Sequence, residues 1–269
     1  MTANGAMLYA GHMNVTLRTL IVAAAILLSP SLAFACSCGP TVTVLEEYNR
    51  VEAVMIVRVT GVEKAKGFGI NNIRSTKVVV EKVYKGDLRT GDEFSLPQGG
   101  GADCIWTFAA SDVGTRYLFY LNSLKDSSRH WIASTCGRSG EIKYEREDLL
   151  YLDKMDQVRG KTRVSGKYSA LGGAPGLEVA NRKVRVVGQG KSYELTTDSD
   201  GVFEIYDLPP GDYRLEPEMP AGWKLEVGWL SNSVSAIPKL STEKAVAFKL
   251  EPQKHASIDL PFIRATDAR

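Results

Sequence analysis

Val51-Glu52-Ala53-Val54-Met55-Ile56-Val57-Arg58-Val59-Thr60-Gly61-Val62 is a run of β-branched and other apolar residues with partial alternation. That is the pattern of a strand. Residues 75–84 (STKVVVEKVY) repeat it, and 115–122 (TRYLFYLN) and 131–135 (WIAST) are shorter versions. Gly86-Asp87, Thr90-Gly91-Asp92 and Gly99-Gly100-Gly101 supply turns between them, and 64–72 (KAKGFGINN) reads as an exposed hairpin loop. Two helical pieces flank these strands: residues 44–51 after Pro40, and residues 144–158, where Leu149, Leu150, Leu152, Met155 and Val158 form a helical stripe. About five strands with flanking helices suit a small closed barrel of the oligonucleotide/oligosaccharide-binding type.

Upstream of this β-rich region the chain reads as an export leader. Arg18 precedes the apolar run Leu20-Ile21-Val22-Ala23-Ala24-Ala25-Ile26-Leu27-Leu28, and Ala33-Phe34-Ala35 offers the small residues that a signal peptidase reads. The run is too short to span a bilayer. Cleavage after Ala35 would make Cys36 the mature N-terminus, and taking residues 1–35 from 269 leaves 234, enough for two ordinary domains. A lipid-attachment cysteine would stand in the same place, but such sites want Leu followed by small residues, which Ala33-Phe34-Ala35 does not supply. The destination is therefore secreted, periplasmic or otherwise extracytoplasmic, and no later stretch reads as a transmembrane span. Composition is that of a soluble chain, 44% apolar and 24% charged. The formal charge of +2 falls to +1 when the leader, with Arg18 and no acid, is removed. A nearly neutral chain without a basic block gives no sign of nucleic-acid binding.

All four cysteines, Cys36, Cys38, Cys104 and Cys136, lie in the first half of the mature chain. An even count in an exported protein reads as a disulfide framework. Cys36 and Cys38 are two apart, so in an extended segment they project to one face, which disfavours a bond between them and favours two bonds into the body of the domain. Ser37 then points outward. A zinc site would compete, but Cys-x-Cys with two isolated cysteines and no nearby histidine lacks the usual paired spacing.

Cys36-Ser37-Cys38 with Pro40, Val83-Tyr84-Lys85-Gly86, Gly101-Ala102-Asp103-Cys104, Gly114-Thr115-Arg116-Tyr117-Leu118 and Ser134-Thr135-Cys136-Gly137-Arg138-Ser139 together resemble the N-terminal, netrin-like domain of the tissue inhibitors of metalloproteinases. The resemblance spans residues 36–158. It implies pairing of Cys36 with Cys104 and of Cys38 with Cys136, closing loops of 68 and 98 residues, each stabilising by about 4–5 kcal/mol in the chain-entropy model. It also implies that Cys36 would chelate the zinc of a partner protease through its α-amine and backbone carbonyl, at the position that a catalytic zinc leaves open. Ser37 would enter the primed-side pocket, Cys38, Gly39 and Pro40 would continue along the cleft, and Ala102 and Asp103 would add a second contact edge. The chain departs from the family in lacking a third disulfide and a cysteine-rich C-terminal domain.

After a linker at 159–163 the character changes. Residues 164–168, 183–187, 192–196, 202–205, 213–217, 245–250 and 257–260 are short strand-like runs about ten residues apart, without cysteine, the spacing of a β-sandwich. Thr196-Thr197-Asp198-Ser199-Asp200-Gly201-Val202-Phe203-Glu204-Ile205 followed by Leu208-Pro209-Pro210-Gly211-Asp212-Tyr213-Arg214-Leu215 resembles the carboxypeptidase-regulatory or transthyretin-like sandwich. Domains are thus expected at 36–158 and 164–269. Asp198-Ser199-Asp200-Gly201 lacks the spacing of a full calcium loop and reads as a turn. Pro217 stands where an isopeptide-forming adhesin would need glutamate. Trp223, Trp229 and Tyr213 read as sandwich core before they read as a sugar platform.

His12 falls in the leader, and His130 and His255 have no paired nucleophile or metal-ligand spacing, so no enzyme and no cofactor are expected. The expectation is an exported two-domain β protein that inhibits an extracytoplasmic zinc metalloprotease. The alternative is a noncatalytic envelope or adhesion module in which the sandwich binds a protein or a glycan.

Overall fold

A computed structural model describes residues 38, 42–63, 75–99, 103–123, 131–226, 239–242 and 244–265. The leader, the 64–72 loop, His130 and Trp229 lie outside the described residues. Residues 36–269 form one compact unit.

The first sheet follows from the strand runs. β1 (Ala53–Val62), β2 (Ser75–Lys85), β3 (Glu93–Pro97), β4 (Arg116–Ser123) and β5 (Trp131–Ala133) pair antiparallel in the order β3-β2-β1-β4-β5, and β6 (Gly140–Glu141) adds to β4. The ends approach closure. Trp106 N donates to Ala133 O at 2.9 Å, Gly99 N donates to Trp106 O at 3.2 Å, and Ile105 bridges to Ser134, so the segment after β3 stitches it towards β5. The result is a barrel-like sheet of the expected kind. β3 and the two-residue β6 are the strands of this sheet that the sequence did not announce: β3 is short, carries a single fully buried residue, Leu96, and has no β-branched run.

β1 is buried on both faces. Met55, Val57 and Val59 point into the barrel with Phe119, Leu121 and Phe108, whereas Val54 and Ile56 meet the two helices outside it. This is why alternation along β1 is only partial: a strand covered on both sides has no polar face to show. The helices are α1 (Val44–Arg50) and α2 (Arg146–Val158). α1 starts at a capping box in which Glu46 N donates to Thr43 Oγ1 at 3.3 Å and Thr43 N donates to Glu46 Oε2 at 3.0 Å. α2 buries Asp148, Tyr151, Leu152, Met155 and Val158, spaced at three and four residues as one face requires. Tyr151, not Leu150, completes the stripe.

The second half supplies two further sheets. One has the order β10-β7-β16-β12, with β15 also on β7; the other runs β13-β14-β11-β8-β9. Their strands are β7 (Arg163–Ala170), β8 (Lys183–Gly188), β9 (Lys191–Thr196), β10 (Val202–Tyr206), β11 (Gly211–Pro217), β12 (Trp223–Leu225), β13 (Lys239–Thr242), β14 (Ala245–Leu250), β15 (His255–Ser257) and β16 (Leu260–Arg264). Phe203, Tyr213, Leu215, Phe248 and Phe262 fill the core between them, the arrangement of a sandwich. Tyr213 is thus core, its hydroxyl donating to Pro209 O at 2.6 Å, and Trp223 packs on the same core. Asp198 makes the turn read from the sequence: its Oδ1 accepts from Asp200 N and Val202 N, each at 3.0 Å.

The run at 257–260 is two strands. β15 and β16 both pair parallel with β7, His255 opposite Arg163 and Leu260 opposite Tyr168, and pairing lapses at Ile258 and Asp259. The cause sits across from them. A Cβ on Gly166 would lie 2.0 Å from Ile258 O and 2.6 Å from Phe203 Cζ, so the chain passes there only because position 166 has no side chain.

Candidate functional site

The residues expected to form a protease-binding ridge are described in part. Cys38 is bonded to Cys136 across 98 residues with Cα atoms 5.0 Å apart. Cys104 is also disulfide-bonded, and no described cysteine is free. Asp103 closes a local turn, its Oδ1 accepting from Ile105 N at 3.3 Å, and Cys104 takes a left-handed backbone conformation with φ 56°. Cys36, Ser37, Gly39, Pro40 and Ala102 lie outside the described residues.

The charges converge elsewhere, where α2 meets β7 and β15. Arg138 follows the Cys136 disulfide, and its guanidinium is 9% exposed. It donates from Nε to Asp148 Oδ2 at 2.9 Å, from Nη2 to Asp148 Oδ1, and from Nη1 to Val42 O at 3.0 Å. Asp148 also accepts from the Tyr120 hydroxyl at 2.6 Å. Glu147 faces Arg138 at 3.3 Å and accepts from Ser165 Oγ at 2.6 Å and Ser257 Oγ at 2.8 Å. Arg163, at 1% exposure, gives Nη2 to Glu204 Oε2 and to Glu147 O, each at 3.1 Å, and lies over the rings of Tyr151 and Tyr206 at 5.1 and 5.9 Å. Glu204 is completed by Lys154 Nζ and the Tyr206 hydroxyl, each at 2.7 Å. The line of pairs therefore runs from β4 through α2 to β10. Buried charge is tolerated only when partnered in this way. Burial alone would raise the Glu147 carboxyl, but Arg138, Arg163 and the two serine hydroxyls hold it down to about 2.

Beside this network three charged side chains are left over. Among the described residues Glu145, Lys167 and Asp259 make no side-chain hydrogen bond or ion pair. All three line a cleft of about 240 Å³, together with Arg138, Glu147, Asp148, Ser139 and Ser257 and, at its rim, Tyr144, which is 62% exposed. Burial, with the negative charge of Asp148, pushes the Glu145 carboxyl up to about 8. Burial and Glu147 push Asp259 up to about 6. Lys167 and Arg138 act in the opposite sense on both carboxyls without reaching them. Two strand glycines make the room. A Cβ on Gly140 would sit 1.8 Å from Glu145 Oε1, and Gly166 admits the 258–259 segment that brings Asp259 to the cleft, opposite Lys167 in the register of β7.

His255, expected at a strand edge, is instead buried at 4% exposure against Tyr151, their ring centroids 4.9 Å apart. Among the described residues neither of its ring nitrogens, nor the Tyr151 hydroxyl, has a hydrogen-bond partner of good geometry. Burial first and Arg163 second hold the imidazole down to about 4. Among the described residues no three His, Cys, Asp or Glu side chains gather closely enough to hold a metal ion. No described helix is long and apolar enough to cross a membrane.

Of these residues the sequence offered one clear signal: Asp148 occupies the apolar stripe of α2, four and seven residues before Leu152 and Met155. Glu145, Lys167 and Asp259 come from three separate segments and have no local signature.

No family model matches the chain, and no curated protein does. Solved structures that resemble it include a DUF3823 family protein from Parabacteroides merdae (18% identity, 39% of this chain and 46% of that one, TM-score 0.25). Two others are the Bacillus anthracis TIE protein (10% identity, 78% and 40%, TM-score 0.28) and the minor pilin of Streptococcus agalactiae (11% identity, 81% and 85%, TM-score 0.28). The chain spans less than half the length of the first two. Likenesses of this size fix neither topology nor function, and the architecture stands on the strands and registers given above. Both family resemblances are corrected: no family model matches the chain, so it is grouped neither with the tissue inhibitors of metalloproteinases nor with the carboxypeptidase-regulatory sandwiches. The physical reason is that a stapled, exported β-barrel and a sandwich with tight Asp-Gly and Pro-Gly turns arise wherever a modest core needs support. Cysteine spacing and turn chemistry therefore report architecture more than kinship. The metalloprotease-inhibitor assignment, with Cys36 as a ligand to a partner's zinc, rested on that resemblance and is not carried further.

Proposed function

We propose that the chain is an exported, noncatalytic binding module in which β units at 36–158 and 164–269 form one platform, with the cleft beside α2 as the ligand site. The observation that carries this reading is the contrast inside the cleft. Arg138, Glu147 and Asp148 are fully paired, whereas Glu145, Lys167 and Asp259 line the same space without partners. Unpaired, partly desolvated charges cost stability, and binding sites are where such groups concentrate. Export is supported by the Cys38–Cys136 bond, which needs an oxidising compartment to persist.

The test uses the full chain from residue 36. A panel of soluble sugars, amino sugars, amino acids and short cell-wall fragments is screened by thermal shift and by isothermal calorimetry. The same panel is run against the triple variant Glu145→Gln, Lys167→Met, Asp259→Asn, whose fold is checked by near-UV circular dichroism. Binding by the parent that is lost in the folded triple variant supports the reading. Binding unchanged in the variant, or chemical turnover of the bound compound, refutes it.

A further inference from the structure

Resting on that reading, we infer that the cleft takes a small organic cation: a primary ammonium group flanked by oxygen acceptors, as in an amino sugar or an amino acid. The charge balance of the lining points to a cation. Four carboxyl groups, Glu145, Glu147, Asp148 and Asp259, face two cations, Arg138 and Lys167, and even with Glu145 largely protonated at pH 7 the carboxylates outnumber the cations. Arg138 is consumed by Asp148, Glu147 and Val42 O, so it has little left to offer a ligand. The available groups are two carboxyls that seek positive charge and one ammonium that seeks an acceptor.

A bare metal ion does not fit, because the carboxyls line the cleft without converging: no three acidic side chains among the described residues come within ligating reach of one point. The space, about 240 Å³, suits a molecule of several heavy atoms. It can present an amine to Glu145 and Asp259 and an oxygen to the Lys167 ammonium. The carboxyls are also held in place. Gly140 leaves room for the Glu145 carboxyl to lie against β6, and Gly166 lets the chain turn Asp259 toward the cleft.

Binding would carry a proton signature. Glu145 faces Asp148, Arg138, Lys167 and Glu147, and with its carboxyl up at about 8 it is mostly protonated at pH 7. An ammonium group in contact stabilises the carboxylate and displaces that proton, so uptake of the amine releases close to one proton. From pH 6 up to pH 7, where an amine of this type stays largely charged, affinity rises about tenfold as the pH increases, because Glu145 must give up its proton, and Asp259 adds to the rise near pH 6.

The experiment is calorimetry on the full chain from residue 36, at pH 6 and 7 and in two buffers of different ionisation enthalpy. The probes are glucosamine, glycine and L-lysine, with N-acetylglucosamine, glucose and calcium chloride as contrasts. The expected result is binding of at least one amine with release of about one proton at pH 7 and more at pH 6, where Asp259 is also partly protonated, weakened at least tenfold by Glu145→Gln or Asp259→Asn. Glu81→Gln, on a surface pair with Arg58 and Arg116, should leave it unchanged. Preference for glucosamine assigns an amino sugar, and preference for glycine or lysine assigns an amino acid. The inference is overturned if no amine binds, if calcium or the uncharged sugars bind as well as the amines, or if amine binding releases no proton. Uncharged sugars that bind the parent and are lost in Glu145→Gln would overturn the cationic ligand while leaving the cleft as the binding site.

Discussion

Arg163→Met tests whether the charges between α2 and the sandwich sheet act as one network. The parent guanidinium is 1% exposed, pairs with Glu204 at 3.1 Å and with Glu147 at 3.6 Å, and lies over two tyrosine rings. Methionine recovers part of the apolar contact but leaves Glu204 and the Glu147 backbone carbonyl each short of a donor. Removing one partner of a buried pair costs about 3–5 kcal/mol. For a chain of this length that corresponds to a fall in melting temperature of roughly 10 °C. Urea denaturation at pH 7 gives the stability change. Proton NMR titration of His255 gives a second readout, taken with near-UV circular dichroism to show that the ring stays packed, because burial is the larger cause of its lowered value. Arg163 helps hold the imidazole down to about 4, so in the variant the midpoint should climb toward the ordinary histidine value. A loss below about 1 kcal/mol together with an unmoved His255 midpoint would refute a network centred on Arg163.

Three further outcomes are expected. Gly166→Ala places a methyl group 2.0 Å from Ile258 O and should destabilise by about 3 kcal/mol; an unchanged denaturation midpoint would contradict the close approach. Replacing Cys38 and Cys136 together by serine opens a 98-residue loop and should cost about 4–5 kcal/mol; equal stability of oxidised parent and variant would show that the bond constrains nothing. His255, at about 4 when folded, lies below its unfolded value of about 6.5, so the unfolded chain takes up the proton first and stability is lost as pH falls from 6.5 to 4. The stability of His255→Leu relative to the parent should therefore improve by about 3 kcal/mol between pH 7 and pH 4, and a constant difference across that range would rule the histidine out as the source.

The legible parts of the fold were those carried by local pattern. The β-branched runs at 51–62 and 75–84 became β1 and β2, and Asp198-Ser199-Asp200-Gly201 became the turn before β10. Besides the two-residue β6, three strands escaped. β3, β12 and β13 are five, three and four residues long, too short for alternation to separate them from loops, and pairing supplies what propensity does not. The lapse at Ile258 and Asp259 depends on Gly166, some ninety residues earlier, and no window on the sequence contains both. The cleft was hidden for the same reason. Arg138 sat in a motif read for its cysteine, and its real partners, Asp148 and Val42, come from a helix and from the segment ahead of α1. The ridge built on Cys36 was legible only through a family likeness, and apart from Cys38 and Asp103 its residues lie outside the described ones.

The most direct measurement is a carbon-13 NMR titration of the side-chain carboxyls in the ligand-free chain from residue 36, with Glu145→Gln and Asp259→Asn to assign the resonances. Two half-buried carboxyls left unpaired in the cleft predict midpoints near pH 8 for Glu145 and near pH 6 for Asp259. Midpoints at the ordinary values of 4.5 and 3.8 would mean that both groups are already solvated or paired, and the cleft would have nothing to offer a ligand.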